Sequence, residues 1–138
     1  VITIREAGPA DAPAMAPLLA QLGYPATPAE IATRFDPSQT ALLAEEGGRA
    51  IGLAVLHVTP MLHLAQPNAR LLALVVDEAI RSGGVGRQLL AAVEARARAA
   101  GCPSIELSSN KRRTRAHAFY EAQGYEANSL KFYRRLDP

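Results

Sequence analysis

Leu71-Leu72-Ala73-Leu74-Val75-Val76-Asp77-Glu78-Ala79-Ile80-Arg81-Ser82-Gly83-Gly84-Val85-Gly86-Arg87 is the stretch that decides the fold. Its first six residues are all apolar and read as a strand buried on both faces. Beyond the glycines, apolar residues recur at Val85, Leu89, Leu90, Val93 and Ala97, one face of a long helix over 83–100 that Gly101 stops. A buried strand passing into a helix through a glycine turn belongs to a mixed α/β layer arrangement. The turn also carries chemistry. Glycines let backbone amides approach an anion closely, and the first amides of a helix lack intrahelical partners. The helix dipole adds positive potential, so the turn suits a phosphate or pyrophosphate. Arg81 and Arg87 flank it with fixed charge. The alternative is a plain tight turn. A P-loop would end in Gly-Lys-Ser/Thr, which is absent, and a dinucleotide fingerprint needs a third small residue where Leu89 stands.

Working outward, Val1 to Arg5 alternates and is β-branched, a first strand. A helix starts at Gly8-Pro9-Ala10-Asp11, with Met15, Leu18, Leu19 and Leu22 on one face and Gly23 at its end. Pro17 inside it predicts a kink or an early break. Thr27-Pro28-Ala29-Glu30 is a capping box opening a short helix to about Phe35. Thr40 to Glu45 and Arg49 to Val58 read as strands joined through Glu46-Gly47-Gly48, a hairpin. Pro60 to Asn68 is a loop. Past the long helix come a strand at Pro103 to Ser108, a helix at Arg115 to Gln123 capped by Thr114, and a closing strand at Leu130 to Leu136.

The 138 residues fit one domain, and an apolar fraction of 49% with 20% charged residues is a globular composition. No apolar run reaches the length of a membrane span, and Arg5, Glu6 and Asp11 interrupt any leader-like apolar stretch. The single Cys102 forms no internal disulfide, which fits a reducing cytoplasm. No metal-ligand spacing is present. The net charge of +2 is unevenly spread: residues 1–80 carry a net −4 and residues 81–115 a net +6. Such a basic stretch suits a polyanion site, a nucleic-acid patch or a solvated helix face. No aromatic stacking platform accompanies it, which disfavours nucleic acid.

Arg81-x-x-Gly84-x-Gly86 after Leu74-Val75-Val76-Asp77 resembles motif A of the GNAT superfamily of N-acetyltransferases. Independently, Ile105-Glu106-Leu107-Ser108-Ser109-Asn110 followed by Ala116-His117-Ala118-Phe119-Tyr120-Glu121-Ala122-Gln123-Gly124-Tyr125 resembles motif B. The resemblance covers essentially the whole chain. It implies an α/β (α+β, three-layer) fold in a single domain, residues 1–138. The sheet would be mixed and mostly antiparallel, with about six or seven strands, splayed at the centre and flanked by about four helices. It implies acetyl-CoA as cosubstrate. The pantetheine arm would lie along the main chain of Leu74, Val75 and Val76, and the pyrophosphate in the loop of Arg81, Ser82, Gly83, Gly84, Val85, Gly86 and Arg87. Asn110, with Arg112, Arg113 and Arg115, would meet the nucleotide end.

Acetyl transfer to an amine needs a neutral amine, a stabilised oxyanion and a protonated leaving thiolate. A free alkyl amine has a pKa of about 10.4, so only about one in 10³ is neutral at pH 7. Tyr120 matches the family's motif B tyrosine and would protonate the thiolate. A backbone N–H at Val76 or Leu74 would meet the oxyanion. Some family members place a glutamate on the buried strand; here Arg70 to Leu74 holds no carboxylate, so Glu106 is the candidate base, acting through water. His57 and His63 are further candidates. Similarity to small bacterial acetyltransferases acting on aminoalkylphosphonates extends through Glu106 to Asn110 and Leu130-Lys131-Phe132, though those enzymes carry strand glutamates absent here. The residues leave the acceptor open; the resemblance implies a small-molecule primary amine, with a protein N-terminus or lysine as the alternative. The acceptor wall would come from the N-terminal helices and the Pro60–Asn68 loop. A module that binds acetyl-CoA without turnover is the other reading. The resemblance excludes no homodimer and calls for no membrane.

Overall fold

The structure, a computed structural model, describes residues 1–80 and 83–138. It divides into two compact units, residues 1–107 and 108–138. Arg81 and Ser82 lie outside the described residues.

The first unit is built on one sheet. Its strands are β1 (Thr3–Glu6), β2 (Gln39–Glu46), β3 (Arg49–Thr59), β4 (Asn68–Val76) and β5 (Ile105–Glu106), in that spatial order. All neighbours are antiparallel except β4 and β5, which run parallel. The β2–β3 hairpin turns at Gly47 and Gly48, both at positive φ (59° and 78°), the type I′ geometry that matches strand twist.

Helices cover both faces. α1 (Ala12–Leu22) and α2 (Pro28–Ala32) bury Ala12, Met15, Leu18 and Ile31 against Ala41, Leu43, Leu53 and Val75. These strand residues share one face of the pleat. α3 (Val85–Ala99) takes the other face, where Gly52 leaves room for Leu89 and Val85. The α1 stripe and the α3 stripe were both legible as helical periodicity. The box at Thr27 is present: the Thr27 hydroxyl accepts from the Glu30 amide at 3.1 Å, and the Glu30 carboxylate accepts from the Thr27 amide at 2.9 Å. The helix it opens ends at Ala32, short of Phe35.

Four expectations need correction. α1 runs through Pro17 without the early break, because Pro17 faces solvent and water can satisfy the carbonyl that loses its partner. The sheet has five strands among the described residues, not six or seven. The second unit holds one helix, α4 (Thr114–Ala122), and 130–136 forms no strand. Leu130, Phe132, Tyr133 and Leu136 are 78–91% exposed there. The alternating pattern is real, but a strand exists only with a ladder partner. The predicted strand at 103–108 likewise shrinks to Ile105–Glu106.

Candidate functional site

β4 is the centre of the site, and its pairing explains why. On one side it is laddered to β3 along most of its length. On the other, the β5 ladder consists of Ala69↔Ile105 and Arg70↔Glu106 and then stops. From Leu71 to Val76 the β5-side edge of β4 therefore lies beyond that ladder. The Asp77 amide donates to the Ile51 carbonyl at 2.8 Å, which fixes the alternation. Asp77, Val75 and Ala73 turn their amides toward β3. Val76 and Leu74 turn theirs to the open edge. An edge of this kind is what an extended acyl–pantetheine arm would pair with.

The glycine turn continues from this edge. Gly83 (φ +115°) and Gly84 (φ +71°) are left-handed, a conformation that disfavours any side chain. A Cβ built on Gly84 would lie 3.0 Å from the Arg87 guanidinium, so this guanidinium arches over the turn. α3 follows with Gly84 as its N-cap, and no side chain caps its first amides. Gly83, Gly84, Val85, Gly86 and Arg87 thus make a cradle of uncapped helix-start amides and one cation, chemistry able to hold an anion such as a pyrophosphate. Arg81 and Ser82, expected in the same loop, fall outside the described residues.

A polar row crosses the sheet at the other end of β4. Leu72 is a bulge residue: Val55 pairs with Ala73, and Leu56 with Leu71. Below the bulge, Gln39, His57, Arg70 and Glu106 stand side by side on four strands, on the face that carries α1 and α2. Arg70 Nη1 donates to Glu106 Oε1 at 3.2 Å, and Asn68 Nδ2 to the same oxygen at 3.4 Å. Glu106 is 57% exposed, and both bonds land on Oε1. Sequence reading chose Glu106 and His57 separately but not their alignment, because cross-strand register depends on the bulge. His63 lies exposed in the 60–68 loop.

In the second unit, Tyr120 is half-buried on α4, packed edge-on against Phe119 (5.4 Å between centroids) and tilted against Tyr125 (5.9 Å). Burial pushes its phenol above the ordinary value of 10, opposed only by the nearby charge of Arg113. The group is protonated at neutral pH and can donate. Asn110 is partly committed to local structure: its Oδ1 accepts from the Arg112 amide at 2.9 Å. Its carbonyl accepts from the Arg113 amide at 3.0 Å and lies 2.8 Å from His117 Nε2. The helix begins at Thr114 itself, so Thr114 is not the cap. The neighbouring Ser109 hydroxyl is buried without a hydrogen-bond partner among the described residues.

Among the described residues, no cluster of three or more His, Cys, Asp or Glu is placed to hold a metal, and no helix is long and apolar enough to cross a membrane.

Residues 12–125 match the acetyltransferase (GNAT) family. An aminoalkylphosphonate N-acetyltransferase from Salmonella typhimurium is 37% identical over 105 residues, covering 76% of this chain and 68% of that protein. An aminoglycoside N(6′)-acetyltransferase type 1 from Stenotrophomonas maltophilia is 35% identical over 141 residues, covering 97% and 92%. Among solved structures, one from Agrobacterium tumefaciens, proposed to be an acetyltransferase, superposes with a TM-score of 0.87 at 30% identity, over 96% of this chain and 99% of that one. An aminoglycoside N-acetyltransferase in complex with CoA shares the fold (TM-score 0.82, 24% identity, 99% and 96% covered).

Proposed function

Because this chain belongs to the acetyltransferase (GNAT) family, an N-acetyltransferase that takes acetyl-CoA as cosubstrate, we propose that it acetylates the primary amine of a small molecule by direct attack within a ternary complex. The observation that carries the reading is the open edge of β4: Leu74 and Val76 present their amides where the β5 ladder ends, and the glycine cradle lies immediately downstream. A thioester laid along that edge exposes its carbonyl to an amine with no covalent enzyme group between them. Acetyl-CoA supplies the activated acyl carbon.

The chain's own residues divide the remaining work. Gly83 to Arg87, with Arg81 and Ser82, hold the pyrophosphate, and the Asn110 side chain offers its Nδ2 to the nucleotide end. Leu74 and Val76 donate to the acetyl oxygen as it gains charge. Val75 keeps the strand anchored, since its side chain sits in the α1 core. Tyr120 gives its phenolic proton to the departing thiolate, an uphill transfer since the thiol's ordinary pKa of about 8.5 lies below that of the phenol, and the phenolate regains a proton from solvent. Glu106 removes the amine proton through Oε2. Arg70 is four residues from Leu74, about 13 Å along the strand, so a bridging water belongs to this step. The acceptor enters on the α1–α2 face, beside the polar row. Its amine is the class shared by the two named relatives, which is why aminoalkylphosphonates and aminoglycosides head the panel to be tried.

The test is thiol release from acetyl-CoA on adding primary amines one at a time. Release that requires both substrates, with intersecting initial-rate lines, is expected. Parallel lines would replace direct attack by an acyl-enzyme. A thermal shift with acetyl-CoA but no release with any amine would favour the binding-module reading. Glu106→Gln is expected to lower kcat while leaving coenzyme A affinity nearly unchanged.

A further inference from the structure

Asp77 is a buried carboxylate, 9% exposed, that the proposed chemistry does not use. It is the first residue after β4 and the last before the chain heads for the glycine cradle. Four groups from three places converge on it. Arg49 Nη2, at the start of β3, donates to Oδ2 at 2.9 Å. The Ala79 amide donates to Oδ1 at 3.0 Å, and the Ile80 amide to the Asp77 carbonyl at 2.8 Å, so the chain wraps around it. From α1, Gln21 Nε2 reaches Oδ1 at 3.4 Å while Gln21 Oε1 accepts the Glu78 amide at 2.9 Å.

We propose that Gln21, Asp77 and Arg49 form a clamp that aims the glycine cradle, making Gln21 and Arg49 positioning residues for coenzyme A that never touch it. This rests on the cradle being the pyrophosphate site. The physical case is one of direction. The ladder to β3 holds the chain as far as the Asp77 amide on Ile51, but it does not set the direction in which the chain leaves the sheet. Charge-assisted hydrogen bonds to both carboxylate oxygens fix orientation as well as position. An amide serving an anion weakens steeply as its angle departs from linear, so a rotated turn loses ligand before it loses fold. Gln21 is also exposed and outside the apolar stripe of α1. A residue there needed only for helix formation would have no reason to reach across to the Glu78 amide. Through it, α1 is tied to the exit of the cofactor strand.

The experiment measures coenzyme A Kd by calorimetry, acetyl-CoA KM and kcat, and the Tm of the ligand-free protein, for the parent chain and for Gln21→Ala, Arg49→Ala, Arg49→Lys and Gly84→Asp. Gln21→Ala and Arg49→Ala are expected to raise Kd and KM about fivefold each, the scale of one hydrogen bond, with kcat within about twofold. Arg49→Lys, which keeps the charge, should recover most of the loss. If Gln21→Ala and Arg49→Ala bind coenzyme A as the parent does, whatever their Tm, the clamp is structural only and the inference is overturned. If Gly84→Asp also binds normally, or the parent does not bind, the pyrophosphate reading itself fails and takes the inference with it.

Discussion

At the scale of single residues, the two positions with the sharpest consequences are Tyr120 and Gly84. The Tyr120 phenol is held above its ordinary pKa by burial, so its donor form persists to higher pH than that of a free tyrosine. Tyr120→Phe should lower kcat about 10²-fold with coenzyme A affinity nearly unchanged. In the parent, any loss of kcat from ionisation of Tyr120 should set in at higher pH than for a free tyrosine, and it should vanish in the Phe variant. Stopped-flow rates between pH 8 and about 11 decide this; an unchanged kcat would leave Tyr120 a packing residue. Gly84→Asp combines a left-handed backbone, a Cβ at 3.0 Å from Arg87 and a negative charge where an anion should sit. Binding of coenzyme A by calorimetry should fall below detection while the fold survives, as far-ultraviolet dichroism will show. Both residues were legible in the sequence because they stand in motifs. His57, Arg70 and Glu106 were not legible as a row, because their alignment follows from the bulge at Leu72, and neither was the clamp around Asp77. No local pattern encodes a contact between residues 21 and 77.

At the scale of elements, what the sequence made readable was whatever is specified locally. The Gly47-Gly48 hairpin, the Thr27 box and the α3 stripe each need only neighbouring residues, and each is present. The pattern at 130–136 failed because strand formation is decided by a partner elsewhere, and the early break at Pro17 is absent because its cost depends on which side of the helix meets water. The packing of α3 shows the same dependence on partners. A Cβ on Gly52 would come within 2.9 Å of Leu89 Cδ1, 3.1 Å of Val85 Cγ1 and 3.3 Å of the Val75 carbonyl. Leu89 can swing aside, but Val85 is the first residue of α3 and the carbonyl belongs to β4. Gly52→Ala should therefore cost about 1–2 kcal/mol, the range for overpacking a tight site, less what alanine gains in the unfolded chain. It should also weaken coenzyme A binding, because the helix start moves with Val85. A lowered midpoint in urea with unchanged coenzyme A affinity would mean that only Leu89 had yielded.

At the scale of the whole molecule, the separation of charge along the sequence is not a separation in space within residues 1–107. The basic stretch at 81–115 donates back into the acidic one: Arg96 Nη1 meets Glu6 Oε1 at 2.6 Å, ninety positions away. In reverse, Arg70 from the acidic stretch holds Glu106 from the basic one. Residues 1–107 are knit by such pairs, and the densest joins β1, the turn before α1, and β2. Arg5 donates to both oxygens of Asp11, at 2.7 and 3.1 Å, and to Glu45 at 2.8 Å, while the Gly8 amide donates to Asp11 at 2.8 Å. The Arg5 bonds, then the Gly8 amide, hold the Asp11 carboxyl at about 2, below its ordinary 3.8. Glu30, Asp36 and Asp77 are lowered as well, each by hydrogen bonds to its charged form. A depressed carboxylate contributes stability in full above its unfolded pKa, and that contribution drains away as pH falls through the folded value. Tm should therefore be nearly flat from pH 7 to about 5 and fall below about pH 4 as these groups take up protons. Asp11→Asn should melt below the parent at pH 7, with the gap narrowing between pH 4 and 2, since the parent loses by protonation what the variant lacks from the start. Calorimetric melts across that range check it. A gap that stays constant down to pH 2 would place the effect in the packing of the turn instead of the charge on Asp11.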